Sequence, residues 1–152
     1  MSDGEPELTL EILSSRVFAA EPQAVFDAFA DADTLARWWG PHGFTNRVDA
    51  LELRPGGAFR ITMTNSDGLD FDNHSTFELV EAPDRIRFLH HLPMHVFRMD
   101  MHFSPTEDGT RLTWRMLFEK NAENLKLKKF IAAANEQNFE RLEAVLADRR
   151  GE

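Results

Sequence analysis

Between Arg47 and Glu119 apolar residues recur at every second position, interrupted by turn residues, and one segment of helical period follows. That order leaves few folds open, because period two describes strands with one buried face. Val48 to Leu53 reads as a strand ended by the turn Pro55-Gly56-Gly57, and Phe59, Ile61 and Met63 face inward on the next, before a loop at Asn65-Ser66-Asp67-Gly68. Phe77 and Leu79 mark a further strand, closed by Ala82-Pro83-Asp84, and Ile86, Phe88 and His90 share one face of its successor. Phe97, Met99, Met101 and Phe103 then alternate with Arg98, Asp100 and His102. Asp108-Gly109 is a strong hairpin turn, after which Leu112, Trp114, Met116 and Phe118 face inward. Consecutive hairpins predict one antiparallel meander. The segment 122–147 predicts a helix of about 37 Å, with Leu127, Phe130, Ile131, Ala134, Phe139, Leu142, Val145 and Leu146 on one stripe. A helix of that length needs a large apolar surface, which a sheet curving around it supplies.

The opening of the chain predicts strand, helix, helix. Leu8, Leu10 and Ile12 alternate against Thr9 and Glu11, and Glu21-Pro22 starts a helix whose buried side is Val25, Phe26 and Phe29. The stretch ARWWGPHGFTN, Ala36 to Asn46, holds a short helix over Thr34 to Trp39, with Asp33 as its cap and Gly40-Pro41 as its end. Two adjacent indoles bury roughly 400 Å² together. Helical neighbours point about 100° apart, so one of Trp38 and Trp39 is expected to anchor the helix and the other to cap an enclosed space.

Several function classes are disfavoured by composition. The 152 residues and 42% hydrophobic content fit one domain over residues 1–152 with a real core. No apolar run reaches membrane-spanning length, and the acidic start MSDGEPELTL lacks the basic and apolar parts of a signal peptide. Zero cysteines leave no disulfide or thiolate chemistry, and a net charge of −9 argues against nucleic acid. A cytoplasmic protein is expected. The basic cluster Lys126, Lys128 and Lys129 is flanked by acids and reads as a solvated face. The 13 Phe, 6 Met and 3 Trp without a Tyr suit an interior with apolar contents.

These residues carry a resemblance. EPQAVFDAFAD at 21–31, the WWGP stretch, LRPGGAFR at 53–60, FELVEAPDRIRF at 77–88 and DGTRLTWRMLF at 108–118 occur in the order found in the activator-of-heat-shock-protein-90-ATPase-like (Aha-type) family. That family belongs to the START-like (SRPBCC) superfamily, which includes the birch-pollen-allergen fold. The resemblance runs from about Glu7 to about Ala147. It implies an α+β helix-grip fold, a curved antiparallel sheet wrapped around a long C-terminal helix, commonly with a cavity between them. It also implies two rival functions. One is a chaperone contact linked to stress response, expected to be weak because the activator's separate N-terminal chaperone-binding domain has no counterpart here. The other is cyclase-like catalysis, as in polyketide cyclases of the superfamily.

The expected reading is the binding of a small apolar molecule, such as a lipid, isoprenoid or polyketide. Phe59, Phe88, Met99, Met101, Phe103, Trp114, Met116 and Phe118 would line the sheet side, with Phe130, Ala134 and Asn138 on the helix and Trp38, Trp39 and Phe44 at one end. Flexible methionines specify a close-packed core poorly, which favours a cavity. Asn138 interrupts the helical stripe and must find a backbone, water or ligand partner. His90 is the best acid–base candidate, set against the plainer reading of a core histidine bonded to a neighbour. His90 and His91 point to opposite faces, and no carboxylate spacing supports a metal site. No cofactor motif is present: Gly56-Gly57 lies in a hairpin turn and not at a strand-to-helix junction. A monomer or a homodimer joined at an exposed strand edge both fit.

Overall fold

The computed structural model describes residues 7–150; the acidic opening at 1–6 and the last two residues lie outside that range. Strand β1 (Leu8–Phe18) is followed by helices α1 (Pro22–Ala30) and α2 (Ala32–Trp38). Six strands come next: β2 (Thr45–Leu51), β3 (Ala58–Thr64), β4 (Asp70–Glu81), β5 (Arg85–Leu92), β6 (Phe97–Thr106) and β7 (Gly109–Glu119). Helix α3 (Ala122–Arg150) is the last element of the described residues. The sheet runs in the order β1-β7-β6-β5-β4-β3-β2, antiparallel throughout. The meander is therefore as the alternation predicts. β1 pairs with β7, and α1 and α2 carry the chain across to the far edge at β2. A curved sheet gripping one long helix is the α+β helix-grip fold. Among the described residues, no helix is long and apolar enough to cross a membrane.

One irregularity alters the simple alternation. A bulge lies between Phe77 and Leu79, where β4 pairs with β5, so Val80 and not Leu79 packs against the core beyond it. On β5 the sequence reading holds: Ile86, Phe88 and His90 are all buried, while His91 is exposed.

The short helix before Gly40 starts earlier than expected. Its cap is Asp31, not Asp33: Oδ2 of Asp31 accepts from the Thr34 backbone N–H at 3.0 Å and from the Thr34 hydroxyl at 2.6 Å. Trp39 lies beyond the last helical residue, with extended dihedrals of −66° and 137°. The helical rule that separates neighbouring side chains by about 100° therefore does not govern this pair. The two indoles touch at a centroid distance of 5.4 Å, and both reach Trp114.

Gly40 ends the turn at a φ of 89°, where a Cβ would come within 2.6 Å of the Met63 methyl carbon. The loop it opens is fixed from α3. Asn138 Oδ1 accepts from Gly40 N at 3.1 Å, its Nδ2 donates to Trp38 O at 2.7 Å, and Arg141 donates to the carbonyls of Arg37, Trp39, Gly40 and Pro41. Asn138 thus finds backbone partners, and no ligand is required to satisfy it. The outer face of the sheet carries ion pairs, such as Arg85 bidentate to the buried Asp100 and Arg98 bidentate to Glu78.

Candidate ligand cavity

Helix α3 does not press on the sheet evenly. Phe139, Leu142, Val145 and Leu146 of its C-terminal half are buried, whereas Leu127 and Ile131 are half-buried and Phe130 is 72% exposed. The stripe expected to be continuous is seated only at one end. At the other end the helix stands off the sheet and leaves a cavity of about 430 Å³. Its walls come from the ends of adjacent strands, where Met63 pairs with Phe71, His90 with Phe97, and Phe97 with Phe118. Phe44 ahead of β2, Asn73 of β4, Met116 of β7, the turn residues Pro93, Met94 and His95, and Leu127, Phe130 and Ile131 of α3 complete the wall. A second hollow of about 670 Å³ lies between the turn before α1 and the β6–β7 hairpin. It is lined by prolines and small residues beside Glu21, Gln23, Glu107 and Asp108, so carboxylates interrupt its wall as they do not in the first cavity.

Of the residues expected around an apolar space, the structure brings Phe44, His90, Met116, Phe118 and Phe130 to the cavity wall. Trp38, Trp39, Phe59, Phe88, Met99, Met101, Phe103, Trp114, Ala134 and Asn138 lie outside that wall. The physical reason is that α1, α2 and the C-terminal half of α3 fill the middle of the sheet. Phe29 packs edge-on against Trp39, Phe59 and Phe77, and Phe26 packs against Phe103. Trp38, Met99 and Met101 are each at most 2% exposed, in a closed core. Trp38 donates from Nε1 to Ala28 O at 2.9 Å, which makes it an anchor. Trp39 does not cap the cavity either, because its ring is taken up by Phe29, Phe59, Phe88 and Trp114. Met63, Phe71, Asn73, Pro93, Met94, His95, Phe97, Leu127 and Ile131 line the wall without having been singled out for it. Several were readable as inward-facing, but alternation does not tell which end of a sheet its helix leaves uncovered.

His90 is buried, and its ring stacks on Phe97 at 4.6 Å between centroids. Nε2 faces the Pro93 carbonyl at 3.1 Å, which requires an N–H there, and Nδ1 faces the Ser75 hydroxyl at 3.4 Å. Both nitrogens are engaged, so the arrangement matches a core histidine bonded to its neighbours and leaves no lone pair aimed at a substrate. Burial holds its pKa below the ordinary value of 6.5, against the raising effect of the Pro93 carbonyl. The unfolded chain, with an ordinary His pKa, therefore takes up a proton that the folded chain resists. The contribution is full above about pH 6.5 and is lost as pH falls below it. Denaturant melts from pH 7.5 down to pH 5 should show falling stability, and His90→Gln should flatten that slope. An unchanged slope in the variant would assign the pH dependence to other groups.

His74 pairs with Asp72 at 3.0 Å and His102 with Asp100 at 3.3 Å, on different strands. Asn135, another polar residue on the buried side of α3, donates to Ser14 Oγ at 3.2 Å and to Met116 Sδ at 3.4 Å. Among the described residues, no group of three or more His, Asp or Glu side chains is placed to hold a metal ion.

Comparison with known proteins agrees with this architecture. Residues 19–147 match the sequence family described as activator of Hsp90 ATPase homolog 1-like protein. Among curated proteins, no relative matches the sequence. A solution structure of a protein from Arthrobacter aurescens superposes with a TM-score of 0.84 at 25% identity, covering 92% of this chain and 87% of that one. A crystal structure from Rhodobacter sphaeroides gives a TM-score of 0.83 at 22% identity, over 95% and 96% of the two chains. A crystal structure of a protein from Silicibacter pomeroyi that carries the same family name gives a TM-score of 0.77 at 21% identity, over 92% and 99% of the two chains. The family match spans most of the chain, and the fold is the one its relatives adopt. The chain belongs to the activator of Hsp90 ATPase homolog 1-like family, within the START-like superfamily.

Proposed function

We propose that this chain, acting as one START-like domain in the cytoplasm, binds a small apolar molecule such as a lipid, isoprenoid or polyketide in the cavity beside the N-terminal half of α3. The observation that supports this is the wall itself. It is about 430 Å³ of space in which Asn73, His90 and His95 are the polar residues and aliphatic, aromatic and methionine side chains supply the rest. Volumes of ~300–1,000 Å³ with few polar groups are typical of small-ligand sites. His90, with both nitrogens engaged, gives the cyclase-like alternative little to work with.

Native mass spectrometry of the protein purified from its host, with identification of any co-purified apolar molecule, tests the reading directly. A pair of methionine variants tests it in vitro. Met101 is closed in the core at 1% exposure, so Met101→Phe is expected to cost about 1–3 kcal/mol by overpacking. Met116 borders the cavity, so Met116→Phe should cost less and should weaken binding of a neutral apolar dye. Equal stability losses at both positions with unchanged dye binding would count against a ligand cavity.

The family description favours a second reading, contact with an Hsp90 chaperone. Calorimetry with the chaperone separates the two. Sub-micromolar binding that Met116→Phe leaves intact would place the function on the surface of the domain and not in the cavity.

A further inference from the structure

One residue of the cavity wall carries a polar atom that no other group of the fold satisfies. Nε2 of His95 is shut off from solvent and has no hydrogen-bonding partner. Of the buried side-chain nitrogens and oxygens left unpaired among the described residues, it is the one that belongs to a residue of the cavity wall. Of the other polar residues of the wall, His90 is engaged through both nitrogens and Asn73 through its Nδ2, which donates to the Phe71 carbonyl at 3.0 Å. His95 sits in the segment between β5 and β6, edge-on to Phe118 at 6.5 Å, beside a Met94 that is 81% exposed. A buried imidazole nitrogen without a protein partner is a loss that a bound oxygen would remove. Nε2 is closed off as the ring stands, and the terminal torsion of histidine is broad, so rotation of the ring is the movement by which it would meet such an oxygen.

We infer that the ligand is an uncharged apolar molecule with one hydroxyl or carbonyl oxygen, and that His95 Nε2 pairs with that oxygen. This rests on the ligand-binding reading above and specifies it. The oxygen is uncharged because the wall includes no Asp, Glu, Lys or Arg, and an ionised head brought there would be stripped of water without a fixed counter-charge. A hydroxyl suits either tautomer of the imidazole, since it both donates and accepts.

The test compares decanol, undecane and decanoate as competitors of a neutral apolar dye, at pH 8, on the wild-type chain, His95→Phe and His95→Gln. His95→Phe is expected to weaken decanol about tenfold, in line with loss of one buried hydrogen bond, while undecane is unchanged. His95→Gln should recover most of the loss, because its amide can again meet the oxygen. Retained undecane affinity shows that each variant is folded with its cavity intact. Equal decanol affinity in wild type and His95→Phe would overturn the assignment of His95 while leaving the ligand-binding reading in place. Decanoate competing better than decanol on the wild-type chain would overturn the uncharged class. If neither the dye nor any of the three probes binds the wild-type chain, the ligand-binding reading falls and this inference falls with it.

Discussion

Replacing Trp38 by alanine is expected to lower the stability of the fold by about 3–5 kcal/mol, the usual loss for truncating a large buried aromatic. Trp38 is 1% exposed, packs against Trp39 and Trp114, and donates to the Ala28 carbonyl. The substitution removes that apolar area, opens a cavity between α2 and the sheet, and orphans a carbonyl at the end of α1. Trp39→Ala should cost less, because Trp39 is half-buried and no hydrogen bond from its ring is lost. Dye binding at temperatures where each variant is folded should stay near wild type, since neither indole borders the cavity. Urea denaturation measures the first expectation, and a loss below about 1 kcal/mol for Trp38→Ala would show that the aromatic cluster repacks.

The second large effect is expected at Asn138. Its amide satisfies two buried backbone groups at once, the N–H of Gly40 and the carbonyl of Trp38. Asn138→Leu keeps a side chain of similar size but leaves both groups without a partner, in a turn where water has little room. A buried group left unpaired costs about 1–3 kcal/mol, so a total of about 2–4 kcal/mol is expected. Asn138→Asp should fall between wild type and Asn138→Leu, because a carboxylate can still accept from Gly40 but cannot donate to Trp38. If Asn138→Leu proved as stable as wild type, the tie between α3 and the turn would have to run through Arg141 alone.

The order of β2 to β7 was legible from consecutive hairpins, and most inward faces from alternation, because each strand buries one face. Met99, Met101, Trp114 and Phe118 follow from that rule alone. The pairing of β1 with β7 and the bulge at Phe77–Leu79 carry no such signal. The site was less legible, for two physical reasons. A period-two pattern assigns a side chain to a face but carries no information about position along the strand. Met116 at the cavity and Met101 in closed core therefore look alike in sequence. The helix shows the same ambiguity, since Phe130 lies on the apolar stripe with Phe139 yet is exposed where Phe139 is fully buried. Trp38 anchors its helix, as expected of one of the two indoles. The capping role expected of the other fails: the helix ends one residue earlier than its composition suggests, and an extended Trp39 turns its ring back into the core. His95 offered no periodic signal, because it lies in a connection between strands.

The uneven seating of α3 separates what holds the fold together from what can vary. Truncations at Phe139 or Leu142 remove packed core, so sequence drift there is met by loss of the folded state. Leu127, Phe130 and Ile131 stand on the same helix in the opposite situation, bordering open space. Exchanges among them reshape the cavity while the domain stays folded. The shape of the cavity can in this way change by small steps at one end of a single helix, while the other end keeps each intermediate folded.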